Sequence, residues 1–375
     1  DADPPALERV LFSVGTAAGT IARFDVLPDG YAKTAGESFA LQLIAYDLDG
    51  NEATEDDTSR VLLASSGSAV FSSNPVTLTG GRASLTVRDD TAEKLVLRAQ
   101  TLAGGALSSS DTISVRPALP SGAITFFSII PGTITANGSS VSTITTNPIR
   151  DMYGNVVAPG ALVRVTPSLG SVGSEDKDPS TPLTVERQTE ASGAVSVFVR
   201  SGTTPGVSQI QFQSLAGSAS GIANVTFAPP PACSYAGYLA PRHLIPTQPT
   251  AFRCSVANGS ATGLTLTTQT AIAFADSASN TFEAHLAAPV MLAGSAVDTL
   301  DFTATVVPAD MLGGTYTPRV KIVGNDAHGA PYQTEFNAGS NSVSISSVDI
   351  LRVTAPSIVS RGDTFAVDVR LKNGG

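Results

Sequence analysis

The chain of 375 residues repeats a pattern of turn and strand residues at a spacing of about one hundred residues. The segment AYDLDGN at residues 45–51 returns as IRDMYGN at residues 149–155, an offset of 104. The segment GRASLTVR at residues 81–88 returns as GAVSVFVR at residues 193–200, an offset of 112. The order is kept while the offset grows by 112 − 104 = 8. We therefore infer that one fold is used twice and that the second copy carries an insertion.

Short alternating segments between turn residues predict that each repeat is built of β-strands. Residues 39–46 (FALQLIAY) alternate and end at the turn DLDGN, and residues 83–87, 95–99 and 111–115 follow the same pattern. About seven strands in about one hundred residues is the strand density of an immunoglobulin-like sandwich. We predict an all-β chain of tandem immunoglobulin-like antiparallel β-sandwiches in an elongated array.

Proline-rich segments mark the predicted domain boundaries. The linkers are RPALPSG at residues 116–122 and APPPA at residues 228–232. In the second linker, three consecutive prolines favour a stiff polyproline II conformation. The predicted units are an N-terminal strand or linker (1–20), a first sandwich (21–117), a second (123–228), a third (233–348) and the start of a fourth, truncated module (349–375). The predicted strands at residues 10–14 and 365–371 have no partner sheet in this division.

The charge and hydropathy of the chain exclude some classes of partner. The 22 basic and 32 acidic residues give a net charge of −10, and an acidic surface repels the phosphates of nucleic acid. No apolar run approaches membrane-spanning length. Only 14% of residues are charged, and Ser and Thr are abundant, which suits the polar outer faces of an extracellular or cell-surface protein.

The two cysteines, Cys233 and Cys254, both lie in the third predicted sandwich, 21 positions apart. We expect a disulfide between neighbouring strands, with two free thiols as the alternative. Closing a loop of about 20 residues contributes on the order of 3 kcal/mol in the chain-entropy model. A disulfide would also indicate an oxidising compartment, in agreement with extracellular placement.

An acidic loop in the first repeat is the best candidate for a binding site. Its oxygen-bearing residues fall within eleven positions: Asp47, Asp49, Asn51, Glu55, Asp56 and Asp57. Alternate Asp and Asn side chains are typical of a calcium loop, which predicts a site formed by Asp47, Asp49, Asn51, Asp56 and Asp57. Against calcium, Gly50 stands at the fourth position rather than the sixth, and Tyr153 replaces Asp49 in the second repeat.

The loop at residues 47–51 and its equivalent at residues 151–155 have Asp, Gly and Asn in common, and these residues favour a turn. Asp47 and Asp151 can accept hydrogen bonds from turn amides, and the pairs Gly50-Asn51 and Gly154-Asn155 suit positive φ angles. We favour this interpretation and keep calcium as the alternative; no other cofactor is predicted.

The sequence contains no motif of a known catalytic site. It lacks a Gly-x-Ser-x-Gly elbow, a phosphate-binding loop and a dinucleotide fingerprint. The three histidines, His243, His285 and His328, share no metal-ligand spacing. We predict that the chain is not an enzyme.

The first repeat combines FDVLP at residues 24–28, AGESF at 35–39 and AYDLDGN at 45–51, and the second has ANGSSV at 136–141 and DMYGN at 151–155. This sequence pattern, which covers about 205 residues, resembles bacterial immunoglobulin-like repeats of the invasin/intimin type. The third module and the tail resemble CARDB-like (cell-adhesion-related) sandwiches, on strands that end in Asn-Gly. The resemblance implies rigid stalk modules of secreted or surface proteins.

We therefore predict a non-enzymatic extracellular structural or adhesion segment, a stalk or fibre. Its expected partners are other protein domains, copies of itself or a cell-surface polymer. One alternative is a filament subunit that assembles by strand addition, because residues 10–14 and 365–371 lack a partner sheet. The other is a set of accessory carbohydrate- or calcium-binding modules of a secreted hydrolase.

Overall fold

The structure is a computed structural model that describes residues 20–177, 184–276, 278–311, 313–338, 343–345, 348–358, 361, 362 and 364–373. The predicted strand at residues 10–14 lies outside the described residues. Across the described ranges the regular secondary structure is β-strand, and no helix is present. The predicted all-β class with tandem immunoglobulin-like sandwiches is confirmed.

The first sandwich is built on strands whose buried residues alternate. Its strands are β1 (Arg23–Pro28), β2 (Ala32–Thr34), β3 (Ser38–Tyr46), β4 (Arg60–Ser65), β5 (Val70–Phe71), β6 (Val76–Thr77), β7 (Arg82–Arg88), β8 (Lys94–Leu95), β9 (Leu97–Thr101), β10 (Leu107–Ser109) and β11 (Ile113–Arg116). They form sheets in the orders β1-β3-β7-β5, β10-β9-β4-β6 and β2-β11-β8. In β3 the period of two sends Leu41 and Leu43 into the core, where each contributes about 2 kcal/mol.

The second sandwich repeats this arrangement. Its strands are β12 (Phe126–Ile130), β13 (Thr133–Thr135), β14 (Val141–Thr146), β15 (Leu162–Pro167), β16 (Ser171–Val172), β17 (Val185–Gln188), β18 (Ser196–Arg200), β19 (Gly206–Ser214) and β20 (Ser220–Ala228). The sheets have the orders β12-β14-β18-β16 and β13-β20-β19-β15-β17 and enclose a separate core around Ile144 and Phe212.

The third sandwich has its own core, centred on Phe252 and Phe274, whose ring centroids lie 4.8 Å apart. Its strands are β21 (Cys233–Ala240), β22 (His243–Leu244), β23 (Pro249–Asn258), β24 (Leu264–Leu266), β25 (Ala271–Ala275), β26 (Thr281–His285), β27 (Val290–Leu292), β28 (Val297–Val306), β29 (Gly314–Tyr316), β30 (Arg319–Asp326), β31 (Pro331–Asn337) and β32 (Val343–Ile345). The largest sheet runs β26-β25-β30-β24-β27, with β31 paired to β30.

All three sandwiches close in the same way. The second strand of each pairs in parallel with the last, as β2 with β11, β13 with β20, and β22 with β32. The first two strands of each sandwich, such as β1 and β2, therefore belong to different sheets. The third sandwich keeps this closure although its sequence differs from the first two.

The insertion in the second repeat lies in one loop. Strands β5 and β6 are separated by residues 72–75, whereas the equivalent strands β16 and β17 are separated by residues 173–184. The difference of 12 − 4 = 8 residues equals the growth in the repeat offset. Asp176, in the described part of this loop, contacts β17, because its carboxylate accepts a hydrogen bond from the Glu186 backbone N–H at 3.1 Å.

The last described strands, β33 (Val348–Thr354) and β34 (Asp368–Asn373), form a hairpin with one apolar face. Ile350 is opposite Leu371, and Val353 is opposite Val369. All four side chains are exposed, by 45–65%. The hairpin differs from the sandwiches because none of these paired apolar residues is buried, whereas each sandwich has a buried apolar core besides exposed apolar residues such as Phe127.

The predicted disulfide is wrong, because both cysteines are free in the structure. Strand β21 aligns Cys233 with Asn258, and Cys254 with Leu239. Cys254 and Asn258 are four residues apart on β23, about 13 Å, whereas a disulfide needs Cα atoms within about 7 Å. Cys254 is a core residue, and burial raises the pKa of its thiol to about 12.

Candidate functional site

The acidic loop of the first repeat is a tight turn organised by Asp47. Its Oδ1 accepts hydrogen bonds from the backbone N–H of Asp49 at 3.0 Å and of Asn51 at 2.9 Å. Gly50 has a φ of 83°, which glycine adopts without the strain of a Cβ. Leu48 and Asp49 are exposed on the tip, and Leu48 is 87% accessible.

The turn of the second repeat has the same internal bonds and additional external ones. Asp151 Oδ1 accepts from the N–H of Tyr153 and of Asn155, both at 2.9 Å. Asp151 Oδ2 accepts from the Asn155 amide at 3.0 Å and from the N–H of Ala118, in the linker, at 2.8 Å. The turn therefore fixes the linker to the second sandwich.

The third sandwich contains two further turns of this type, which the sequence analysis missed. Asp276 Oδ1 accepts from the N–H of Ala278 and of Asn280, and Asp326 Oδ1 accepts from the N–H of His328 and of Ala330. The signal was an Asp after a strand, with Gly or Ser three positions later. Neither turn contains a second Asp, so neither matches the pattern of alternating acidic residues that indicated the loop at Asp47.

The turn of the second repeat also forms the first joint, which we define as the contact between the first and second sandwiches. The Tyr153 ring packs on the core of the first sandwich. The Arg88 guanidinium lies 5.7 Å from the ring centroid, in a cation–π contact. Gly36 leaves room for the ring, because a Cβ at this position would overlap the Tyr153 side chain.

Asn155 completes the first joint, because both the oxygen and the nitrogen of its side-chain amide bind the backbone of the first sandwich. Its Oδ1 accepts from the Ala92 N–H at 2.9 Å, and its Nδ2 donates to the Asp90 carbonyl at 2.8 Å. An amide that meets one donor and one acceptor in this way fixes orientation as well as distance.

The second joint, between the second and third sandwiches, uses the turn at Asp326. The Oδ2 of this buried residue accepts a hydrogen bond from the Thr135 hydroxyl, on β13 of the second sandwich. The linker is held from the other side, because the Thr262 hydroxyl donates to the Pro229 carbonyl at 2.5 Å. The Asn258 Oδ1 accepts from the Ala232 N–H at 3.1 Å.

Three of the five calcium candidates of the first repeat, Asp47, Asp56 and Asp57, accept hydrogen bonds from turn amides through their carboxylates. Asp56 Oδ1 accepts from the N–H of Thr58 and of Ser59, and Asp57 Oδ1 accepts from the N–H of Gly80 at 2.6 Å. Burial alone would raise the pKa of Asp56, but hydrogen bonds from Ser59 and Thr58 outweigh it and lower the pKa. Among the described residues, no three Asp, Glu, His or Cys side chains are grouped to hold a metal. Calcium binding remains a prediction.

No protein-family model matches the chain, and no curated protein matches it. Among solved structures, it is similar to the Escherichia coli adhesin FdeC, with 16% identity over 88% of this chain and 99% of that chain and a TM-score of 0.46. It is also similar to Yersinia pseudotuberculosis InvD, with 12% identity over 85% and 98% of the two chains and a TM-score of 0.38. Invasin matches with 14% identity over 93% of this chain and 67% of its own, at a TM-score of 0.31.

These structures are bacterial immunoglobulin-like adhesin domains, the class that the first two repeats resemble in sequence. The CARDB-like resemblance of the third module remains a prediction. No helix in the described part of the chain has the length and hydropathy to cross a membrane.

Proposed function

We propose that the chain is a non-enzymatic spacer segment of an extracellular or cell-surface stalk. The observation that supports this function best is the first joint, where Tyr153 and Asn155 contact the preceding sandwich with an aromatic ring and two hydrogen bonds. A chain of sandwiches joined only by flexible linkers would not hold a distance, whereas contacts of this kind restrict bending.

The linkers support the same function. Ala118 is bonded to Asp151 at one joint, and Pro229 and Ala232 are bonded to Thr262 and Asn258 at the other. Prolines in both linkers limit the conformations of the remaining residues. Each joint is therefore held by the linker and by a turn.

The test is to remove the contacts of the first joint and measure the shape of the chain in solution. We expect the double variant Tyr153→Ala, Asn155→Ala to broaden the small-angle X-ray scattering distance distribution, because the first sandwich would then move freely. The matched control is Met152→Ala, in the same turn, since Met152 is 72% exposed. A distribution that is broad in the wild type, or unchanged in the double variant, would reject the spacer function.

Extracellular placement rests on composition, because the free cysteines remove the argument from a disulfide. The low charge and the abundance of Ser and Thr support an exposed, polar surface. Protease treatment of intact source cells tests the placement. Loss of the chain is expected, and full protection in intact cells with digestion only after lysis would contradict it.

Filament assembly is a second candidate. The predicted unpartnered strand at residues 365–371 pairs within its own chain, as β34 with β33, which counts against strand addition at this end, while the exposed apolar face of the hairpin favours contact with another sheet. Such a face is unusual unless another sheet covers it. Sedimentation velocity over a hundredfold concentration range tests this candidate. Oligomers that Ile350→Asp dissolves would support it, and a monomer at every concentration would exclude it.

Calcium binding is a proposal for the loop of Asp47, Asp49, Asn51, Asp56 and Asp57, and carbohydrate binding is a proposal for the modules without an assigned site. A melting temperature that is equal in calcium and in EDTA, with no binding on a glycan array, would exclude this candidate. The domain boundaries at residues 117–123 and 228–233 are proposals as well.

A further inference from the structure

The loop of the first sandwich that receives Asn155 contains two acidic side chains behind the contact. Asp89 is 1% exposed, and its Oδ1 accepts hydrogen bonds from the Thr91 N–H at 2.8 Å and from the Ser68 hydroxyl at 3.0 Å. The other oxygen, Oδ2, is buried and accepts no hydrogen bond from the described residues. A buried carboxylate oxygen without a donor is rare in folded proteins.

Glu93 contacts the same serine as Asp89. Its Oε1 contacts the Ser68 N–H at 2.6 Å and the Ser68 hydroxyl at 2.8 Å. Gly67 permits this approach, because a Cβ there would overlap the Glu93 carboxylate. The two acids therefore meet at one serine, Ser68, which is itself exposed.

The Ser68 hydroxyl cannot satisfy both acids when both are ionised. It carries one hydrogen, yet it lies within hydrogen-bonding distance of an oxygen of each carboxyl group. A second proton, placed on Asp89 and shared with Glu93, would remove the repulsion between the two carboxylates. We propose that Asp89 and Glu93 share one proton and that its loss at higher pH loosens the first joint.

The surroundings favour the proton on Asp89. Burial raises the pKa of Asp89, while hydrogen bonds from the Ser68 backbone and hydroxyl lower the pKa of Glu93. The neighbouring basic side chains are Arg88 and Lys94. Arg88 forms an ion pair with Asp90 at 2.8 Å, and Lys94 is exposed. From the second sandwich, Tyr153 and Asn155 contact the first sandwich beside this loop.

The proton affects the joint because the same loop carries the backbone groups that Asn155 binds. Asp90 supplies the carbonyl and Ala92 the N–H, and both lie between the two acids in sequence. The contribution of Asp89 is present below its ordinary pKa and is lost as pH rises through its raised pKa. That of Glu93 is lost as pH falls through its lowered pKa. The joint is therefore tightest between these two pKa values.

The test is a pH titration of the whole chain by NMR, following the Asp89 and Glu93 carboxyl carbons and the Asn155 side-chain amide. We expect Asp89 to titrate above an ordinary Asp and the Asn155 amide to shift with the same midpoint. In Asp89→Asn, whose amide replaces the shared proton, the Asn155 shift with pH is expected to disappear. Asp111→Asn, an exposed site in the same sandwich, is the matched control and retains the shift.

Three results would overturn the proposal. Asp89 could titrate at or below its ordinary pKa, or the Asn155 amide could fail to follow it. Millimolar calcium could also shift the same carboxyl signals at constant pH, which would make the pair a cation site instead. The wild-type titration decides the matter even if Asp89→Asn does not fold. The proposal concerns only the first joint, and the scattering experiment on Tyr153 and Asn155 tests the spacer function independently.

Discussion

The turns at Asp47–Asn51 and Asp151–Asn155 have the same internal hydrogen bonds but different surroundings. In the first, Asp49 occupies the third position and is exposed. In the second, Tyr153 occupies that position and packs on the preceding sandwich. The carboxylate at position one therefore builds the turn, and the side chain at position three determines what the turn contacts.

This difference separates the residues that the fold requires from those that the array requires. Asp, Gly and Asn recur because the turn needs an acceptor, a positive φ and a closing residue. Tyr153 is not repeated, since its role depends on Gly36 and Arg88 of the neighbouring sandwich. Variants in the two turns can test whether these two sets of residues act independently.

The largest effect is expected for Asp151→Ala. The change removes the acceptor of four hydrogen bonds, two of them within the turn backbone and one from the linker. We expect a loss on the order of 3 kcal/mol from the second sandwich, measured by hydrogen exchange in increasing urea. Asp151→Asn, which keeps one acceptor oxygen, should lose less. Equal losses in both variants would show that the carboxylate is not the organising group.

The same carboxylate gives the second sandwich a dependence on acid. Burial alone would raise the pKa of Asp151, but hydrogen bonds from Asn155, Ala118 and Tyr153 outweigh it and lower the pKa. The stabilisation is thus present above the ordinary Asp pKa and is lost as pH falls through the lowered one. Below that pH the difference between wild type and Asp151→Ala is expected to shrink.

Gly36→Ala and Gly50→Ala compare a glycine in the joint with one in the exposed turn. Both residues have φ angles near 82°, so each substitution introduces backbone strain of about 1 kcal/mol. Only at position 36 does the new Cβ meet Tyr153, whereas no atom lies within 4 Å of the site at Gly50. We expect Gly36→Ala to cost about twice as much and to broaden the scattering distribution. Equal costs would mean that the ring moves aside without loss.

Asn155→Ala and Asn51→Ala compare the closing residues. Asn155 makes two hydrogen bonds across the joint, and its loss is expected to cost about 1–2 kcal/mol. The Asn51 amide contacts Asp47 only at 3.4 Å, so its loss should cost below about 0.5 kcal/mol. Exchange of the Ala92 amide reports the joint directly, and it should accelerate in the first variant only. Acceleration in both would assign the protection to the first sandwich alone.

The sequence predicted the sandwiches because their signals are local. Alternation in residues 39–46 and the Gly-Asn turn depend only on neighbours in the chain. The disulfide failed because two cysteines 21 residues apart were assumed to be opposite each other. The register of β21 and β23 instead places Cys233 opposite Asn258, four residues along β23 from Cys254.

The joints could not be predicted from one sequence, since the contacts between sandwiches join residues from 63 to 191 positions apart. Nothing in the text near Gly36 or Thr135 indicates that Tyr153 or Asp326 packs against it. A signal was present in Tyr153 itself, an aromatic residue at a turn position where its repeat has Asp49. The replacement of Asp49 by Tyr153 argues against a calcium site in the second repeat, and it also identifies a residue that contacts the first sandwich.

Asp49→Tyr is expected to have the smallest effect and tests the comparison from the other side. The side chain at position three is exposed in the first turn, and its backbone N–H, not its carboxylate, is bonded to Asp47. Surface substitutions of this kind shift melting temperatures by about 2 °C or less. A new aromatic on an exposed turn supplies a contact residue without a partner, so calorimetry should record no change in the sandwich and sedimentation no new oligomer. A large loss of stability would instead mean that the Asp49 carboxylate does more than occupy the tip, which would strengthen the calcium hypothesis for this loop.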